Sequence, residues 1–166
     1  MASLYECLTP NLPVIWTVDN PVGKDSTNSS EDVYLVQFFL KKVVASPHYP
    51  QKYKPPQPWD VNGCWQASMH DGIRFFQWFL YARSETEEGK LPPLVNGRVD
   101  PVLPGNKSKV QPSLNSTMVY LCNSFRGAAK DTYDNLMTSR EVPSALHFAL
   151  LRAGQAHLKR QRSLNH

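Results

Sequence analysis

The chain has 166 residues, 41% of them hydrophobic and 11% aromatic, which suits one domain with extensions and excludes two large domains. Its 14 prolines forecast many turns and long irregular connections. Residues 1–150 hold 14 Lys+Arg against 14 Asp+Glu, so the formal net charge of +4 comes entirely from Arg152, Lys159, Arg160 and Arg162. Such a basic end is compatible with a phosphate backbone, an anionic lipid surface, an acidic protein groove or plain solvation. The neutral body argues against nucleic acid as the main partner.

From the N-terminus, Met1 to Trp16 contains Glu6, Pro10 and Pro13 and no unbroken apolar run, unlike a signal peptide. No stretch approaches the roughly 20 apolar residues that span a bilayer. The expectation is synthesis in the cytoplasm, with any exit by incorporation in a virion or a secretion or injection particle. Val14-Ile15-Trp16-Thr17-Val18 reads as a strand in an N-terminal arm, 1–29, that runs into the polar turn sequence Asp25 to Ser30. A first helix is then expected, with Ser30 as N-cap, Glu31 and Asp32 in the first turn, and Val33, Val36, Leu40 and Val43 at helical spacing until Pro47 stops it. Five prolines between Ser46 and Trp59 mark a loop wrapped on the core. A second helix is expected from Ser68, where Ser68 and Asp71 have capping spacing, through Met69, Ile73, Phe76, Phe79 and Leu80. Arg83 to Lys90 reads as a solvated connection and Val102 to Asn115 as another loop. A third helix begins near Ser116 and carries Met118, Leu121 and Phe125. Further helical pieces are expected over 131–139 and 145–158, the last amphipathic and basic at its end.

Two turns repeat along this series: Val61-Asn62-Gly63-Cys64-Trp65 and Val95-Asn96-Gly97-Arg98-Val99-Asp100-Pro101, each ahead of a helix. Asn tolerates the left-handed region and Gly enters it freely, so Asn-Gly forms tight turns that the flanking apolar residues anchor inward. Around them stand Glu31-Asp32-Val33, Val36-Gln37, Leu40, Gly72-Ile73, Phe76-Gln77, Thr117 and Leu121. Over residues 31–126 this series resembles the three-helix peptidoglycan-binding domain family, whose pattern has Val-Gln and Phe-Gln helices and two Asp-Gly turns. Asn62 and Asn96 depart from the aspartates of that pattern, and Gln66-Ala67 from its first Gly-Pro.

The resemblance implies a mainly α protein: a small three-helix bundle (30–126) with long Pro-rich loops, an N-terminal arm (1–29) and extra C-terminal helices with a basic tail (127–166). It also implies a non-enzymatic module that binds cell-wall glycopeptide near the two turns through Asn62, Trp65, Gln77, Asn96 and Arg98. Four of these have a structural alternative: Trp65 in the core, Gln77 satisfying backbone groups of the facing turn, and the two asparagines forming turns. The alternative function is a structural adaptor in a multi-protein particle such as a phage tail or contractile injection apparatus. In that case Val14, Ile15 and Trp16 of the arm and Leu146, Leu150 and Leu158 of the last helix are the expected partner contacts.

No chemistry-bearing motif accompanies the module. Cys7, Cys64 and Cys122 lack metal-ligand spacing, and His48, His70, His147, His157 and His166 are scattered. There is no HExxH and no nucleophile elbow, and Cys64 beside His70 and Asp71 reads as an ordinary small buried cysteine. Neither a metal nor a cofactor is expected. The sequons at Asn28, Asn106 and Asn115 read as loop and capping sequence.

Overall fold

The computed structural model describes residues 2–9, 12–84, 94–102, 109–110 and 116–164. Much of the two expected loops, 85–93 and 103–108 with 111–115, lies outside them, as does His166. The described chain is mostly helical, with two small sheets.

Strand β1 (Ser3–Thr9) pairs antiparallel with β2 (Leu12–Thr17), Ser3 opposite Thr17, with an irregularity between Glu6 and Thr9. β3 (Val22–Gly23) follows, and α1 (Ser30–Ala45) begins one residue earlier than expected, with Ser29 at the N-cap position. The Ser29 hydroxyl donates to Asp32 instead of accepting from the helix backbone. The buried Asp32 carboxylate also accepts the N–H groups of Asp19 and Asn20, each at 3.0 Å, and so ties the incoming loop to the helix.

After the proline-rich loop, α2 (Ala67–Ser84) starts just past the first turn, placing Ser68 inside the helix. Gln66, which precedes it, accepts the Met69 N–H on its carbonyl and spends its side chain on both backbone groups of Asp60. β4 (Arg98–Val99) pairs antiparallel with β3, and β5 (Lys109–Val110) runs parallel to β1. The chain then forms α3 (Thr117–Ala128), the short α4 (Lys130–Asp134) and α5 (Ser144–Leu164). α4 stops well short of 139, and α5 exceeds the expected 145–158.

The core explains why these pieces hold together. Phe125 meets Phe38, Phe39 and Tyr133 edge to face between α1, α3 and α4, its centroid 4.9 Å from that of Phe39, and Phe39 tilts against Tyr133. One continuous cluster of buried side chains runs from Ala2 to Ala153. The expected N-terminal arm is therefore an interior layer: β2 packs on α3 and β1 on α5. Ile15, Trp16 and Val18 are fully buried, the Cys122 thiol reaches the Trp16 carbonyl at 3.1 Å, and the Tyr133 hydroxyl donates to the Val14 carbonyl at 2.9 Å. Thr17 accepts the Val102 N–H at 2.8 Å, joining the hairpin to the segment beyond the second turn. The expectation that Ile15 and Trp16 offer apolar surface to a partner is corrected by this packing, while Val14 is half-buried at its edge. Leu146 and Leu150 are likewise buried on the inner face of α5, and of that set Leu158 alone is exposed.

Candidate functional site

Two glutamines forty residues apart build the same device twice. On α1, the Gln37 side-chain oxygen accepts the N–H groups of Asn62 and Gly63, both at 2.9 Å, while its amide donates to the Cys64 carbonyl at 2.8 Å. On α2, Gln77 accepts from Asn96 (3.0 Å) and Gly97 (2.8 Å) and donates to the Arg98 carbonyl at 2.9 Å. Within each turn the asparagine oxygen accepts the N–H two residues on, Asn62 from Cys64 and Asn96 from Arg98, both at 2.9 Å. Gln77 additionally donates to the Thr117 hydroxyl at 3.0 Å, so the second clasp also fixes the start of α3.

The equivalence extends along both helices. Gly63 (φ +74°) lies against Ser30 and Tyr34, seven and three residues before Gln37; Gly97 (φ +69°) lies against His70 and Arg74, seven and three before Gln77. A side chain at either glycine would be strained in the left-handed region and would collide, its Cβ 2.3 Å from Tyr34 or 2.2 Å from His70. Val33, Val36 and Leu40 match Ile73, Phe76 and Leu80 in register, and all six are buried.

These contacts sort the expected ligand residues. Gln77 is fully buried and its amide is committed to the turn and Thr117, which removes it from any ligand surface. Asn62 and Asn96 are exposed but spend their oxygens inside the turns. Trp65 is half-buried against the core, and the exposed Arg98 pairs with Asp100 at 2.6 Å. Cys64 is exposed, which corrects the expectation of a buried cysteine, because its carbonyl and N–H are spent on the turn while its side chain faces outward; His70 turns its Nδ1 edge toward Gly97 without a hydrogen bond, an arrangement in which the histidine packs a turn. Among the described residues no cluster of His, Cys, Asp or Glu could hold a metal ion.

Sequence reasoning missed the outer face of α2. Arg74, Trp78 and Tyr81 follow one another at spacings of four and three residues, and Arg74 stacks over the Trp78 ring at 4.8 Å. Phe75 meets Trp78 edge to face, 5.4 Å between centroids. Trp78 is 39% and Tyr81 46% exposed, an unusual display of large aromatic rings. Arg74 also packs on the Gly97 turn, which makes the row continuous with Asn96 and Arg98. The signal was present as Arg-x-x-x-Trp-x-x-Tyr, but α2 carries apolar residues around most of its circumference. A cleft of about 300 Å³ where α1, α2 and α3 end is lined by Tyr49, Phe79, Arg83 and Asn123 among others, and burial there pushes the Tyr49 phenol well above its ordinary range.

Comparison with family models, curated proteins and solved structures finds no match. No helix among the described residues is long and apolar enough to cross a membrane.

Proposed function

We propose that this chain is a non-enzymatic recognition module of the peptidoglycan-binding-domain kind, and that it takes cell-wall glycopeptide on the outer face of α2 and the adjoining second turn. The fold part of the reading rests on the two glutamine clasps, which use the residues of the family-like motif series in equivalent positions. The ligand part is carried by the exposed row Arg74, Trp78 and Tyr81. Flat aromatic rings stack on the apolar faces of sugars, and guanidinium groups bind the carboxylates of a wall peptide in a planar fork. In this reading Trp78 is the stacking platform, Arg74 and Arg98 recognise carboxylate or carbonyl groups, and the exposed amides of Asn62 and Asn96 are secondary contacts. Trp65 belongs to the support beneath.

The test is sedimentation with insoluble peptidoglycan. Intact protein is expected to pellet with the wall, Trp78→Ala to lose at least tenfold in apparent affinity with an unchanged circular dichroism spectrum, and Trp65→Ala to lose stability more than binding. An intact chain left wholly in the supernatant would refute the glycopeptide reading. A second reading, the particle adaptor, is favoured by one separate observation, an apolar row exposed on α5.

A further inference from the structure

We infer that the outer face of α5 is a docking surface for an acidic, amphipathic protein helix, a proposal that rests on the adaptor reading and names its partner chemistry. The inner arc of α5, with Leu146, Ala149, Leu150 and Ala153, is consumed by the core. The opposite arc still carries large apolar groups: Phe148 is 67%, Leu151 45% and Leu158 55% exposed. At 100° per residue, Phe148, Leu151, Gln155, Leu158, Lys159 and Arg162 fall within about a third of the circumference. Met137, itself exposed, widens the strip, because its sulfur lies 2.6 Å from where a Cβ on Gly154 would sit. A small residue at 154 is what lets the methionine lie on the helix.

The charges select the occupant. α5 contains no acidic residue. Of its cations, Arg152 is paired with Glu31, and Arg160 donates to the Leu4 carbonyl and the Tyr5 hydroxyl while covering the Tyr5 ring at 4.7 Å. These two fasten α5 to the body. Lys159 and Arg162 are exposed and make no ion pair among the described residues, so they continue the apolar strip at its C-terminal end as a cationic patch. An acidic partner helix laying its apolar stripe along Phe148, Leu151 and Leu158 would satisfy both features. A parallel pairing of two α5 helices would bring like charges together. A membrane helix would need a broader continuous apolar face than a strip whose inner half is already buried.

The probe is a synthetic helical peptide with leucines at i, i+3 and i+7 flanked by glutamates, its lysine counterpart, and vesicles of phosphatidylglycerol, each titrated against the full chain. The glutamate peptide is expected to bind at least tenfold more tightly than the lysine peptide. Leu151→Asp is expected to abolish that binding, and the double variant Lys159→Glu with Arg162→Glu to reverse the preference, all with peptidoglycan sedimentation unchanged. Equal affinity for both peptides, no binding of either, self-association of the chain, or binding to vesicles alone would overturn the proposal. Because the wall assay reads α2 and the peptide assay reads α5, failure of one leaves the other measurable.

Discussion

At the scale of single residues, the glutamine clasps make the sharpest stability statements. Removing the Gln77 side chain leaves two turn N–H groups, the Arg98 carbonyl and the Thr117 hydroxyl without their partner. Each unmet group costs about 1–3 kcal/mol, and water entering at the turn recovers part of this, so Gln77→Ala is expected to destabilise by about 3 kcal/mol in chemical denaturation. Gln77→Glu is informative in a different way: a buried carboxylate would face the Asn96 oxygen and the Arg98 carbonyl, both acceptors. That variant is expected to be less stable than Gln77→Ala at pH 7 and to recover as acid protonates it; equal stability across pH would show that the amide's donors do not matter. Gly97→Ala combines left-handed strain with displacement of His70, and about 2–3 kcal/mol of destabilisation is expected by the same measurement.

At the scale of elements, the helices and both turns were legible because their signals are local. Val33, Val36 and Leu40 on one side, and Asn-Gly before a helix on the other, are consequences of neighbours within one or two turns of chain. Of the hairpin, β2 was legible in the β-branched and aromatic run Val14 to Val18, but β1 and the pairing were not. Ser3 to Thr9 owes its place to pairing with β2 and packing under α5, whose residues lie far along the sequence. The same limit hid the surfaces. α2 presents Phe75, Phe76, Trp78, Phe79, Leu80 and Tyr81 almost consecutively, and spacing alone cannot say which rings turn outward. In α5, spacing alone marks Leu146 and Leu150 as partner contacts, whereas the packing on β1 and α1 buries them and leaves Phe148 and Leu151 outside. Trp65, half-buried, is expected to cost about 2 kcal/mol as Trp65→Ala, below the roughly 3–5 kcal/mol of a fully buried ring; calorimetry distinguishes the two.

For the whole molecule, the interior position of the hairpin predicts that residues 30–142 do not fold by themselves. That fragment lacks Ile15, Trp16, Val18, Leu146 and Leu150, all buried, and is expected to melt without a cooperative transition while the full chain unfolds cooperatively. Alkali should also act on the whole fold. Burial raises the phenols of Tyr49 and Tyr133 above their ordinary values, so the unfolded chain loses those protons first. The phenols' contribution is then constant below about pH 10 and falls as pH rises beyond it, and Tyr49→Phe should weaken that fall. The acid limb runs oppositely: the hydrogen bond from Arg126 holds Asp134 below the usual carboxylate range, so its contribution is present above about pH 4 and fades as pH falls.

The most direct measurement of the glycopeptide reading is an amide and tryptophan side-chain NMR titration of the full chain with a soluble disaccharide-peptide fragment of peptidoglycan. Perturbations concentrated on Arg74, Trp78, Tyr81 and Arg98, with the buried Gln77 amide unmoved, are the predicted result. Shifts absent at saturating fragment, or confined to α5 and the hairpin, would contradict it.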